Sequence, residues 1–123
     1  MLVISQEKEK KFYFRKANRL SGSLQFKKVF VQGKKYSNSF FSLYVLFDAK
    51  EKKIGLSVNK RVGSAVKRNG LKRRLREIFR LHQWELKPSL QVVVLKKEAA
   101  CLSWSDLCSR FKELWGKAQL LTL

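Results

Sequence analysis

Apolar side chains at helical spacing predict a short helix in the first third of the chain. Ser21 or Ser23 is a suitable N-cap, because a hydroxyl oxygen can accept from the free N–H groups of a first turn. Gly33 is a plausible point for this helix to end. The apolar positions between them are Leu24, Phe26, Phe30 and Val31.

Two segments that follow are typical of β-strands. Residues 40–47 are rich in aromatic and aliphatic side chains, and a second strand is predicted over residues 54–58. The polar residues 48–53 between them resemble a turn. We therefore expect the two strands to form a hairpin.

The longest predicted helix begins after Gly63 and Ser64 and extends for about 18 residues to His82. At about 100° per residue, one stripe of apolar side chains must face the core; it consists of Leu71, Leu75, Ile78 and Phe79. The opposite side brings together four cations and one amide: Asn69, Lys72, Arg73, Arg76 and Arg80. Gly70 weakens the prediction slightly, because a mid-helix glycine costs about 1 kcal/mol relative to alanine.

The last third of the chain predicts a strand and a helix. Residues 90–95 form a continuous apolar run, typical of a buried strand, and Pro88 precedes them where a strand can begin. Ser103 is the expected N-cap of a helix that closes at Gly116. Its apolar stripe consists of Trp104, Leu107, Cys108, Phe111, Leu114 and Trp115. The order of elements, helix, two strands, helix, strand and helix, predicts an α+β sandwich.

The chain is expected to form a single domain. A length of 123 residues allows one sizeable core, and no Pro-rich, Ser-rich or repetitive linker interrupts it. We assign a basic N-terminal arm to residues 1–19, the folded domain to residues 20–118 and a short tail to residues 119–123.

The strong positive charge of the chain indicates what kind of partner it binds. The sequence has 28 Lys and Arg against 9 Asp and Glu, a net charge of +19, and residues 50–80 contain 12 of the cations with only 2 acids. Such self-repulsion is easiest to tolerate beside a polyanion, so nucleic acid is the expected partner. The chain has no membrane-length apolar run and no basic amphipathic terminus, so membrane binding is not expected. Too few apolar residues open the chain for a secretory signal, which predicts a cytoplasmic protein.

The cations of the long helix could form an ordinary solvated face, but such a face normally mixes charges of both signs. Lys72 and Arg76 form a like-charge pair at i,i+4, as do Arg76 and Arg80. Glu77 alone relieves their repulsion. We therefore predict a dedicated anion-binding face, to which Arg is suited because its guanidinium fork binds phosphate bidentately.

Candidate catalytic and metal-binding groups are few. Cys101 and Cys108 lack both CxxC spacing and histidine partners, so we expect two reduced thiols and no zinc site. The nine acids are scattered, and His82 lies at the apolar edge of its helix, where a structural role is expected. The chain thus offers neither the clustered carboxylates nor the pair of histidines that acid–base or metal-assisted hydrolysis by the protein itself would need.

Residues 54–80 closely resemble the signature of the protein subunit of bacterial ribonuclease P, in which a GLSV-like strand leads into an AVxRNxxKRxxRE helix. In this chain they read IGLSVNKRVGSAVKRNGLKRRLREIFR. The similarity extends to NRL at 18–20, FxxVFxxG at 26–33, the strand over 41–47, VVVLKK at 92–97 and a closing helix. One departure is Gly70, which replaces the second Arg of the usual Arg-Asn-Arg motif.

The resemblance implies an αβ sandwich like the second domain of ribosomal protein S5, with a left-handed βαβ crossover. It also implies an endoribonuclease in which a catalytic RNA removes the 5′ leader of precursor tRNA, using Mg²⁺ bound mainly by the RNA subunit and the substrate. The protein would then be a non-catalytic subunit, with the RNA subunit and precursor tRNA as its partners.

The same resemblance implies two sets of binding residues. Those expected to face RNA are Lys60, Arg61, Arg68, Asn69, Lys72, Arg73 and Arg76, to which the helix face adds Arg80. A cleft between the first helix and the sheet would receive the leader, with Phe26, Phe30 and Tyr44 able to stack on single-stranded bases. For Phe26 and Phe30, packing in the core is an equal alternative.

Two other functions stay open. One is an RNA-binding module without catalytic association, such as a small ribosomal protein. The other is a sequence-specific DNA-binding protein. The DNA alternative is weaker, because the long helix has few side chains suited to reading base pairs and no second helix lies at helix-turn-helix spacing.

Overall fold

The computed structural model describes residues 19–20, 22–47 and 51–121, which form three α-helices, a four-stranded sheet and short 3₁₀ turns. Of the predicted arm, only Arg19 lies within these ranges, so the division into arm, domain and tail stays a prediction. The helices and strands are α1 (Ser23–Gln32), β1 (Lys34–Ser37), β2 (Phe41–Phe47), β3 (Lys52–Val58), α2 (Ala65–His82), β4 (Ser89–Leu95) and α3 (Trp104–Lys117).

The sheet has the strand order β1-β2-β4-β3. β2 is antiparallel to both of its neighbours, and β3 is parallel to β4. The predicted hairpin of the second and third strands is therefore wrong, because β4 lies between them. β4 is buried along nearly its whole length and needs a partner on each side, a requirement that outweighs closeness along the chain. β3, α2 and β4 form the expected βαβ unit, with α2 as the crossover helix.

The edge strand β1 was not predicted. Its sequence, KKYS, carries no alternation of apolar and polar residues, and only Tyr36 is partly buried. Its backbone pairs with β2, from Lys34 opposite Val45 to Ser37 opposite Ser42. Pairing with an existing strand, and not side-chain pattern, makes this segment a strand.

The sheet separates two apolar clusters. On one face, the predicted stripes of α2 and α3 pack against side chains of β2 and β4 such as Leu43 and Val93. Trp104 is the exception: it was predicted as part of the α3 stripe but lies in the first turn and remains 43% exposed. On the other face, Val29 of α1 packs against Leu20, Leu90 and Val92. The buried residues of the α2 stripe are Leu71, Leu75, Ile78 and Phe79, as predicted. The α+β sandwich is confirmed, with α1 on one side of the sheet and the other two helices on the opposite side.

Two of the three helices begin at the N-cap that the sequence predicted. Ser64 and Ser103 cap α2 and α3, each hydroxyl accepting from the backbone N–H three residues later at 3.3 and 3.2 Å. The N-cap of α1 is Gly22, with no side-chain bond. Ser23 is already helical, so its assignment as a cap is wrong, and Ser21 lies outside the described residues.

The predicted end of α3 at Gly116 is also wrong. The helix continues to Lys117, and Ala118 is its C-cap. Ala118 and Leu120 are both buried, so the chain stays packed on the core beyond the glycine. The reversal occurs at Gln119, which adopts a φ of 57°.

Candidate nucleic-acid interface

The loop before α2 is held by contacts of its own residues. The Asn59 side chain accepts from the Arg61 N–H at 2.9 Å and starts a 3₁₀ turn over Lys60–Val62. Gly63 then adopts a φ of 151° and a ψ of −163°, a combination that is essentially restricted to glycine. The Arg68 Nε donates to the Gly63 carbonyl at 3.2 Å. The loop therefore presents the exposed Lys60 and Arg61 in a fixed position beside the first turn of α2.

A groove of about 530 Å³ lies along the exposed face of α2. Asn69 and Arg73 are exposed there, and Lys72 and Arg76 are half-buried. Its lining residues are Val66, Asn69, Gly70, Lys72, Arg73 and Arg76. The structure thus brings four of the predicted RNA-facing residues together around one concave surface, and no acidic side chain lines it.

The cations of this groove have no acidic partner among the described residues. Arg80, in contrast, forms an ion pair with Glu77, and its Nε donates to Glu77 Oε2 at 3.1 Å. The hydrogen bond from Arg80 lowers the pKa of Glu77, and the bond to Glu77 raises the pKa of Arg80. Much of the Arg80 charge is therefore compensated within α2, so Arg80 is the weaker candidate for an RNA contact.

A second cavity, of about 260 Å³, lies where α2 approaches β3 and α1. Its lining residues are Arg19, Leu20, Phe26, Ile54, Gly55, Leu56 and Arg76. Burial, followed by the positive charge of Arg19, lowers the pKa of Arg76. Arg76 lines both this cavity and the α2 groove, so the two depressions meet at its side chain. Two guanidinium groups beside one cavity without a lining carboxylate favour an anionic ligand.

The three aromatic residues predicted for the leader cleft lie on the side of the sheet covered by α1. Phe30 meets Tyr44 edge to face, with ring centroids 4.7 Å apart. Phe26 lies over Gly55 so closely that a Cβ on that glycine would come within 2.5 Å of the ring. Phe26 also packs in the cluster that contains Val29. Phe26 therefore serves the core and lines a cavity, whereas Phe30 remains 39% exposed.

Several residues of this surface were not assigned a role from the sequence. Arg19 belongs to the NRL motif, which was recognised only as part of the resemblance. Lys35 lies on β1, the strand that was not predicted, and its Nζ is 5.8 Å from the centre of the Tyr44 ring. Val66 is 82% exposed and lines the groove, although no charge marked it as part of the site.

Other chemistry is sparse in the described part of the chain. No group of three or more His, Cys, Asp or Glu side chains there could hold a metal ion. The His82 Nδ1 lies 2.7 Å from Glu85, and its ring contacts that of Trp115. Cys101 is exposed and Cys108 half-buried, and burial raises the pKa of the Cys108 thiol. None of the helices that the structure describes is long and apolar enough to span a membrane.

Comparison with known proteins identifies the family. The family model of ribonuclease P matches residues 14–119. A ribonuclease P protein component from Dictyoglomus turgidum is 37% identical over 115 residues, covering 89% of this chain and 96% of the relative. One from Dictyoglomus thermophilum is 40% identical over 114 residues, covering 89% and 95%.

Solved structures agree on the fold. The ribonuclease P protein from Thermotoga maritima superimposes with a TM-score of 0.74 at 26% identity, over 80% of this chain and 96% of that one. The Staphylococcus aureus protein gives a TM-score of 0.82 at 24% identity, over 87% and 100%. The chain therefore belongs to the family of bacterial ribonuclease P protein components.

Proposed function

We propose that this protein is the non-catalytic subunit of a ribonuclease P ribonucleoprotein that removes the 5′ leader from precursor tRNA. The observation that carries the proposal is the groove on α2, where Lys72, Arg73 and Arg76 converge without acidic partners among the described residues. Such a surface binds phosphates and screens their repulsion when two RNA molecules meet.

The side chains indicate which groups the protein would bind and which it would leave to the RNA. Lys60 and Arg61 of the loop, together with the α2 groove, would bind phosphates of the RNA subunit. Asn69 adds an amide that both donates and accepts. The groove suits phosphate and not a metal ion, because its lining contains cations and no carboxylate. We therefore assign Mg²⁺, and the hydrolysis it supports, to the RNA subunit and the substrate.

The leader would follow the cavity that joins α2 to α1. Arg76 would bind a phosphate of the leader at the point where groove and cavity meet, and Arg19 adds positive charge to the lining of the cavity. Beyond it, Phe30 and Tyr44 offer aromatic rings to unpaired bases. The RNA subunit and the leader would thus be bound by adjoining surfaces that share Arg76.

The test is cleavage of precursor tRNA by the catalytic RNA at low Mg²⁺ with and without the purified protein. We expect the protein to stimulate cleavage and Arg73→Ala to reduce the stimulation by about tenfold, because a charge-assisted bond to phosphate is worth about 1.5–3 kcal/mol. Arg73 is a cleaner choice than Arg68, whose Nε bond to Gly63 also holds the loop.

Lys117→Ala is the control for the loss of one positive charge, since Lys117 is exposed on α3 and its nearest charged partner is Glu113 of the same helix, at 4.0 Å. It should leave the stimulation unchanged. Failure of the unaltered protein to stimulate cleavage would favour an RNA-binding module without catalytic association. Tight discrimination among duplex DNA sequences would instead support the DNA-binding alternative.

A further inference from the structure

Gly70 lies in the middle of α2, yet its surroundings do not require a glycine. A Cβ added there would meet nothing within 4 Å, in contrast to Gly55, where Phe26 occupies the space. A glycine in this position costs about 1 kcal/mol of helix stability relative to alanine. The fold therefore loses stability at Gly70 and gains no packing in return.

The glycine instead leaves a recess on the surface of α2. The groove described above borders a second depression of about 380 Å³. The second depression is lined by Val66, Lys67, Gly70, Leu71, Arg73, Arg74 and Ala100. Val66, Gly70 and Arg73 line both, and we call these three residues the Gly70 recess. Any side chain at position 70 would project into open space at this boundary.

The chemistry of the recess indicates what could occupy it. Two of its three residues give it an apolar floor, because Val66 is 82% exposed and Gly70 adds only its backbone, whereas Arg73 adds a cation. Cations flank it on both sides, Lys72 and Arg76 in one depression and Lys67 and Arg74 in the other. Neither lining contains an acid. A bare anion would not use the apolar floor, and an apolar peptide would not use the cations.

We propose that the Gly70 recess receives one nucleotide of the partner RNA. Its ribose or base would pack on Val66 and on the Cα of Gly70, while the phosphates before and after it bind cations on the two sides of the helix. The RNA strand would thus cross α2 at Gly70. This proposal rests on the proposed function, because it assumes that α2 binds RNA.

Filling the recess tests the proposal without endangering the fold. Gly70→Ala should raise the denaturation midpoint, because helix propensity improves. We expect Gly70→Ala to weaken binding of the catalytic RNA several-fold and Gly70→Leu to weaken it tenfold or more. Val66→Ala should weaken it several-fold as well. In each case the slope of log affinity against log salt should stay unchanged, because no phosphate contact is removed.

Gly116→Ala is the matched control. Gly116 is also helical, and a Cβ there would likewise meet nothing within 4 Å, but it lies on α3 and is exposed, whereas Gly70 is half-buried. Its RNA affinity should equal that of the unaltered protein. Unchanged affinity of Gly70→Leu, with Arg73→Ala still weakened, would overturn the recess and leave the proposed function standing. A loss of affinity with a smaller salt slope would also overturn it, because that result would indicate a displaced phosphate contact. Absence of RNA binding by the unaltered protein would overturn both the proposed recess and the proposed function.

Discussion

At the residue scale, Phe30 combines a fixed position with access to solvent. It belongs to the apolar side of α1, but it remains 39% exposed while Tyr44 holds it edge to face. A ring that is fixed by a neighbour and still reaches solvent can stack on a base with little loss of side-chain entropy. Phe26 differs, because it is packed over Gly55.

Removal of the Phe30 ring should therefore weaken binding of the leader and leave binding of the rest of the substrate unchanged. We expect Phe30→Ala to weaken binding of precursor tRNA with a leader of several nucleotides by about tenfold, since stacking contributes about 1–3 kcal/mol per base. Binding of tRNA with a mature 5′ end should not change. The measurement is the ratio of the two affinities for the protein–RNA complex.

Val31 provides the control for this substitution. It is the next residue on α1 and is 72% exposed, so Val31→Ala removes apolar surface from the same helix without an aromatic ring. The affinity ratio should stay constant in this variant. Equal weakening of both substrates by Phe30→Ala would contradict a role of its ring in leader binding.

At the scale of elements, helices could be predicted from local sequence signals, whereas the pairing of strands depended on tertiary structure. α2 was predicted with its bounds, because Ser64 supplies a cap and an apolar stripe from Leu71 to Phe79 follows it at helical spacing. Helical geometry then fixed which cations share a face. β1 and the neighbours of β3 were not predictable in this way, because each depends on pairing with another strand, β1 with β2 and β3 with β4. The junction of Arg19 with Arg76 escaped prediction for the same reason: the fold brings together residues far apart in sequence.

The two capping serines allow a test of α2 as an element. Ser64→Ala and Ser103→Ala should each lower the free energy of unfolding by about 1 kcal/mol, because each removes one side-chain cap. Only Ser64→Ala should also reduce stimulation of cleavage, because the first turn of α2 and the loop with Lys60 and Arg61 lose their anchor. Denaturation curves and the low-Mg²⁺ assay measure the two effects. Equal loss of stimulation in both variants would indicate general destabilisation.

At the scale of the whole molecule, charge determines how binding responds to salt. The 28 Lys and Arg outnumber the 9 Asp and Glu, so most cations cannot find an acidic partner within the chain. The loop and the α2 groove bring several of these cations together. Each phosphate that is contacted should contribute about 0.7–0.9 to the slope of log affinity against log salt.

If Lys60, Arg61, Lys72, Arg73 and Arg76 each contact one phosphate, the slope for the RNA subunit should be about −3.5 to −4.5. Titration of the RNA at several salt concentrations measures it. Arg73→Ala should make the slope shallower by about 0.7–0.9, whereas Lys117→Ala should not change it. A flat profile would count against a phosphate-binding interface altogether.

The position of β4 in the middle of the sheet also determines the order of events during synthesis. β3 pairs with β4 and not with the earlier β2, so it has no neighbouring strand of the sheet until residues 89–95 have left the ribosome. Until then α2 lacks the completed sheet on which its apolar stripe packs. A nascent chain therefore carries its most basic helix beside ribosomal RNA before that helix has a fixed orientation. The last strand to be made completes the sheet and gives α2 the orientation that an RNA partner would recognise.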